Sequence, residues 1–305
     1  MKHPFLLFII SSFLLSGCEL AFAPGQSGNI RLISIGLNYE QTDVRSLNGT
    51  INDATELAEA LRQLYKDRIQ SSVMVQTGSN LDDLRDPLLP TKDHVLGMIE
   101  EAVKALQPAD LLIISYSGHG LENGSWVLAP ENPHGHIYLD DETIDPTVLL
   151  SVADLMQALS PCKATVLVIG DSCYAGSFVQ ENPASVSLID QAQIFDRAYS
   201  AYWDASPYKK GLFVITATTK DNTSKEPIQG NHIHGYFTQA LLSYLGWNDE
   251  TAALENPRTF ITLDDMYHAI HENQHIPTEG MYPSLYQHPA ITGGAMDLVL
   301  YDGES

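Results

Sequence analysis

Leu111-Leu112-Ile113-Ile114-Ser115-Tyr116-Ser117-Gly118-His119-Gly120 is an apolar run that closes on small residues around one histidine. Some fifty residues later the pattern recurs in Val166-Leu167-Val168-Ile169-Gly170-Asp171-Ser172-Cys173-Tyr174-Ala175-Gly176, now around one cysteine. Short aliphatic runs bounded by glycine read as strands buried on both faces, the kind found in parallel sheets. Open α/β sheets place their sites outside the carboxyl ends of neighbouring parallel strands. Both strands are therefore expected to stop at small-residue turns that carry His119 and Cys173, which meet across a cleft.

The flanking sequence supplies the rest of such a sheet. Residues 29–36 alternate and are β-branched, a first strand. Residues 52–65 carry Ala54, Leu57, Ala58, Leu61 and Leu64 at helical spacing, with Asn52 or Asp53 as the cap. A short strand is expected at 72–76, a helix at 91–106, a small hairpin from 126–129 and 136–139, and a helix at 151–159. Beyond the cysteine come a strand at 212–217, helices at 236–245 and 263–271, and a last edge strand at 282–288. Alternating strands and helices predict an α/β fold, with a largely parallel sheet covered on both faces. The mixed stretch 177–210 reads as an insertion or lid.

A nucleophilic cysteine needs an acid–base neighbour, donors for an oxyanion and room for an extended peptide. Glycines on either side of His119 and Cys173 keep the backbone slim enough for a substrate to approach. The backbone amides of Gly120 and Cys173 are the natural oxyanion donors, and His119 is the acid and base.

Four segments together resemble the caspase-type cysteine peptidases, and among them the bacterial metacaspase-like members. They are Leu47-Asn48-Gly49-Thr50-Ile51-Asn52-Asp53-Ala54, Tyr116 to Gly120, Asp171 to Gly176, and Gly235-Tyr236-Phe237-Thr238-Gln239-Ala240-Leu241-Leu242. The resemblance implies a three-layer sandwich, with a mostly parallel six-stranded sheet and helices on both faces. It implies a cysteine endopeptidase with Cys173 as nucleophile and His119 as its partner. In metacaspases, acids at the positions of Asp171 and Asp53, with Ser117 nearby, line a pocket for Arg or Lys before the scissile bond. A guanidinium bridging two buried carboxylates offsets their desolvation, so the physics agrees. An N-cap role for Asp53 is the alternative, and the two roles are compatible. The resemblance also implies a monomer acting on polypeptides.

No cofactor is required for that chemistry. Many metacaspases bind calcium, and Asp140-Asp141-Glu142 resembles the paired-acid part of that site, with hard oxygen donors at Asp140 and Asp141. Gln180 stands where those relatives carry an acid, so calcium dependence stays open. Two rival functions remain. One is a catalytically silent, peptide-binding scaffold on the same fold. The other is a zinc hydrolase using His271-Glu272-Asn273-Gln274-His275, which needs a helix continuing past Pro277.

The N-terminus is a targeting segment in this reading. Met1-Lys2-His3, an apolar stretch to Leu15 and Ser16-Gly17-Cys18 make a secretory signal too short to span a bilayer. Leu15-Ser16-Gly17-Cys18 resembles a bacterial lipobox, so 1–17 is read as signal peptide, 18–28 as lipidated terminus and tether, and 29–301 as the peptidase domain. Glu19 after the lipidated Cys18 points to a lipid-anchored envelope protein of the outer membrane. Asp and Glu number 38 against 16 Lys and Arg, a net charge of −22. Nucleic acid is a poor partner for that field; the charge by itself reads as a well-solvated surface, with attraction of basic polypeptides the sharper alternative. Cys162 and Cys173 are separated by roughly 30 Å of extended chain, too far for a disulfide. Cys162 is then buried filler, and Cys173 a free thiol.

Overall fold

The computed structural model describes residues 28–121, 123–132, 134–140, 143–174, 211–218, 224–227, 232–274, 287, 289–292 and 298–303. Cys173, Tyr174, Ala290 and Thr292 are described by their backbone alone. The signal segment, Cys18, the tether through residue 27, the insertion 177–210 and Asp141 lie outside these residues.

In chain order the elements are β1 (Ile30–Leu37), α1 (Thr50–Tyr65), β2 (Ile69–Gln76), α2 (Lys92–Ala105), β3 (Leu111–Gly120), β4 (Trp126–Val127), β5 (Leu149–Leu150), α3 (Val152–Leu159) and β6 (Thr165–Tyr174). Then follow β7 (Leu212–Thr216), α4 (Tyr236–Leu245), β8 (Trp247–Asn248), β9 (Ala253–Leu254), β10 (Phe260–Thr262), α5 (Leu263–Asn273), β11 (Ala290–Thr292) and β12 (Val299–Asp302). The sheet runs β11-β7-β6-β3-β1-β2. Every pair along this path is parallel except β11 with β7. This is the expected three-layer α/β architecture with six strands along the path, and β4 and β5, which pair beside β3, bring the sheet to eight. The strand order reverses direction between β1 and β3, the kind of switch point beside which open sheets hold their sites.

Period-two alternation divides the aliphatic strands between two cores. Leu112, Ile114, Tyr116, Val166 and Val168 pack with α2 and α3 through Val95, Ile99, Leu155 and Met156. Leu111, Ile113, Leu167 and Ile169 pack on the other face with α1, α4 and α5 through Leu57, Leu61, Phe237 and Ile270. Each such side chain contributes about 1.5–3 kcal/mol on burial.

Two expectations are corrected. First, neither decisive strand stops at a turn: β3 continues through His119 to Gly120, and β6 continues through Cys173 to Tyr174. Pairing with β1 ends at Gly36↔Ser117, and pairing with β7 ends at Gly170↔Thr216. Past those points β3 and β6 still pair with each other, so mutual hydrogen bonding keeps both extended where a lone strand end would turn. Second, the hairpin is not 126–129 with 136–139. Trp126 pairs with Gly120 and with Leu150, while Tyr138 bridges to Ile144. An edge strand at Ala290–Thr292 runs antiparallel to β7; the strand expected at 282–288 lies, apart from Gln287, outside the described residues.

Candidate active site

The continued ladder sets His119 directly opposite Cys173. Adjacent strands lie about 4.8 Å apart, so the two backbones are as close as a sheet allows. His119 is nearly buried, at 5% exposure. Its Nε2 lies 2.7 Å from the carbonyl oxygen of Arg45, on the loop after β1. A carbonyl only accepts, so Nε2 carries the proton and the basic lone pair is on Nδ1. Burial pulls the imidazole below its ordinary pKa, and the bond to Arg45 only partly offsets this, so the ring is neutral near pH 7. The sequence held no signal for Arg45, because any residue can supply a carbonyl.

Two tyrosines hold the histidine's backbone. The His119 N–H donates to Tyr39 Oη at 2.9 Å, and Tyr116 Oη donates to the His119 carbonyl at 2.6 Å. The Tyr39 ring also stacks at a tilt 4.5 Å from the imidazole. Tyr39 has φ +57°, a left-handed conformation that bulky side chains adopt only when their surroundings enforce it. Gly118 is required here, since a Cβ would sit 2.7 Å from both tyrosine hydroxyls. Gly120 ends β3 opposite Tyr174, next to the His119–Cys173 step.

The acidic residues named from sequence are brought together beside this ladder. Asp53 and Asp171 are 3% and 6% exposed. Asp53 accepts the Ser117 hydroxyl at 2.7 Å, His234 Nδ1 at 2.9 Å and the Gly235 amide at 3.1 Å. Asp171 accepts the Ser224 hydroxyl at 2.6 Å, and the hydroxyl and amide of Thr238 at 2.7 and 3.1 Å. Gly235 lies between the two acids, where a Cβ would fall 2.2 Å from Asp171 Oδ2. Burial first, then repulsion from Asp53, push the Asp171 carboxyl up to about 6 against those hydrogen bonds. Burial likewise lifts Asp53 above the usual carboxylate range, against His234, Ser117 and the Gly235 amide. For His234 burial pulls downward, but Asp53, Glu56 and Asp249 outweigh it and the pKa rises.

The acids adjoin a cavity of about 10 Å³ lined also by Ile35, Ala54, Ser115 and Ile169, room for about one water. An arginine side chain enters only where the present partners of the carboxylates give way. A larger groove, about 350 Å³, lies between α2 and α3 and touches none of these residues.

Asp53 is not the cap of α1. That helix starts at Thr50 with Gly49 as its cap residue. The Glu226 carboxylate, distant in sequence, accepts the amides of Asn48 at 2.8 Å and Gly49 at 2.6 Å. With capping done from outside, Asp53 is free to point into the site. In sequence, 231–234 reads as a loop rather than a ligand pair and, with 217–226, as a stretch beside the cleft, so no hydrogen-bonding role is legible there for His234 or Ser224. Gly235 and Thr238 had been visible only as a helix start.

The remaining candidates fall elsewhere. Asp140 is exposed and accepts the Thr143 amide at 2.7 Å. In the zincin-like motif, α5 ends at Asn273 and Gln274 is its C-cap, so no continuous helix joins the positions of His271 and His275. The zinc hydrolase reading fails on that break. Cys162 is fully buried, and burial pushes its thiol up to about 11, as befits inert filler.

A family model for the caspase domain, peptidase C14, matches residues 32–279, and the chain belongs to that family of cysteine proteases. It is 28% identical over 220 residues to Metacaspase-1 of Candida glabrata, covering 67% of this chain and 54% of that protein. It is 32% identical over 165 residues to Metacaspase-1 of Eremothecium gossypii, covering 50% of this chain and 33% of that one. Metacaspase-8 of Arabidopsis thaliana is 27% identical over 157 residues, 50% of this chain and 38% of its own. The chain thus spans about a third to a half of the length of the relatives it matches. The crystal structure of Caspase-1 from Spodoptera frugiperda superposes with a TM-score of 0.50 at 14% identity, covering 89% of this chain and 90% of that one, a likeness of fold.

Proposed function

We propose that the chain is a cysteine endopeptidase that cleaves polypeptides after Arg or Lys. The observation that carries this reading is the ladder register of His119 opposite Cys173, with the histidine's other nitrogen tied to the Arg45 carbonyl. The Cys173 thiol passes its proton to Nδ1 of His119, and the sulfur attacks the substrate carbonyl carbon. The resulting oxyanion is met by the amides of Gly120 and Cys173. His119 returns the proton to the departing amine, leaving a thioester on Cys173. Water attacks that thioester, its proton again going to His119, and the acid product and free thiol are regenerated.

Preference for a basic residue rests on Asp53 and Asp171, with Ser117 beside them. A guanidinium would replace hydroxyl donors with a charge and remove the mutual repulsion of the two carboxylates. Calcium fits Asp140 in kind, as an exposed oxygen donor. One described carboxylate is not a site, and no step runs through the ion. Lipidation of Cys18 and a place on the bacterial envelope, in the outer membrane, complete the proposal, with the domain acting as a monomer.

The test is cleavage of matched fluorogenic peptides ending in Arg, Lys or Asp, with and without calcium, by wild type and Cys173→Ala. Turnover of the Arg and Lys peptides, lost by at least about a thousandfold in the variant, is expected. Unchanged activity in Cys173→Ala sinks the dyad, and preference for Asp sinks the pocket. Silence of a folded wild type on all three peptides leaves the scaffold reading, which the filled acidic pocket would suit.

A further inference from the structure

We propose that Glu56, His234 and Asp249 form a divalent-cation site of the zinc type, behind the acidic pocket and separate from the dyad. The three residues come from three elements. Glu56 lies on α1 one turn past Asp53, His234 precedes α4, and Asp249 lies in the turn between β8 and β9. Their ligand atoms all lie within 4.8 Å of one another. His234 Nε2 is 3.3 Å from Glu56 Oε2 and 4.0 Å from Asp249 Oδ1. With metal–ligand bonds of about 2.0–2.1 Å, a tetrahedral site has ligand–ligand edges of about 3.3 Å. The first distance matches that edge. Asp249, half-buried on its turn, closes the second by rotating its carboxylate.

An independent observation points the same way. His234 is 1% exposed, and its Nε2 has no hydrogen-bond partner among the described residues. A buried ring nitrogen is costly to leave unmet, and this one faces two carboxylates. The opposite nitrogen, Nδ1, is bonded to Asp53 at 2.9 Å. A histidine that offers one nitrogen to a metal and hands the other N–H to a carboxylate is the usual second-layer arrangement of zinc sites.

The frame around the site is built. The Trp247 indole donates to Glu56 Oε2 at 2.6 Å, leaving that carboxylate further lone pairs for a metal. The β8–β9 hairpin is held on α1 by Gln63, which donates to the Ala252 carbonyl and accepts the Leu254 amide. One imidazole and two carboxylates suit zinc among the borderline divalent ions, and two negative ligands balance its charge. Exposed His232 lies on the same carboxylate, its Nδ1 3.5 Å from Glu56 Oε1. A proton on Nε2, giving an imidazolium among carboxylates, is the competing occupant.

The experiment is calorimetric titration of Zn²⁺ into the full chain in detergent, carrying Cys173→Ala so that the dyad thiol cannot act as a ligand. One site is expected. Adding Asp249→Ala or Glu56→Gln should weaken it at least about tenfold, since even outer-layer changes cost about 10–100-fold at zinc sites. Glu56→Gln keeps an oxygen for the Trp247 indole, and unchanged circular dichroism establishes folding of both variants. Zinc binding that neither substitution weakens places the ion elsewhere and overturns the proposal. Absence of zinc binding assigns Nε2 to a proton and overturns it equally. Neither result bears on peptide cleavage, so failure here is distinct from failure of the peptidase reading.

Discussion

At Asp171 burial and function oppose each other. Its carboxyl, pushed up to about 6, is protonated in mild acid and charged at neutral pH. Because the folded-state pKa lies above the unfolded one, its contribution to folding is full below about pH 4 and is lost as pH rises through 6, on the order of 2–3 kcal/mol. Pairing with a basic substrate needs the charged form and runs the other way. In the proposed peptidase, KM for an arginyl peptide should rise as pH falls below 6, by roughly tenfold per unit at most. Burial holds His119 below its ordinary value, so the comparison with an Asp171 variant is what separates the titration of the pocket from that of the dyad. Asp171→Asn should give a high KM with no step near 6, and a step surviving in that variant would assign the titration elsewhere. Cys173, His119, Asp171, Asp53 and Ser117 were all legible as motif residues. Arg45 was not, since its backbone acts; nor was His234, since its neighbours Asp53, Glu56 and Asp249 arrive from distant segments.

Among the elements, β3 and β6 depart most from expectation. Glycine-rich motif ends suggested turns, yet each strand continues because the other lies beside it. Local propensity cannot report a partner 54 positions away. The start of α1 teaches the same lesson. The amides of Asn48 and Gly49, just ahead of its first residue Thr50, are met by Glu226 from beyond the cysteine strand, and Asp53 points into the pocket. Glu226→Ala should therefore destabilise the protein by about 1–2 kcal/mol. For a domain of this size that lowers Tm by about 2–8 °C, with Glu226→Gln restoring part of the loss. A melting curve indistinguishable from wild type would show that water caps the helix as well as the carboxylate does.

Over the whole molecule, a strong negative charge and a caspase domain come together in one chain. Among the described residues no helix is long and apolar enough to cross a membrane. Any attachment in the proposed reading comes from lipid on Cys18. Expressed in a Gram-negative host, wild type should partition into the membrane fraction and incorporate labelled palmitate, while Cys18→Ala should do neither; palmitate on both proteins would end the lipobox reading. The alternation of aliphatic strands with amphipathic helices by itself determined the α/β class, because burial on one face or two leaves a periodic trace in the chain. The motifs around His119 and Cys173 likewise determined the family. Only the tertiary structure decided that these two residues share a ladder step, that Gly235 separates two buried acids, and that His234 turns its Nε2 toward Glu56 and Asp249. Those facts depend on which distant segments pack together, and pairing across a folded sheet leaves no local periodicity to read.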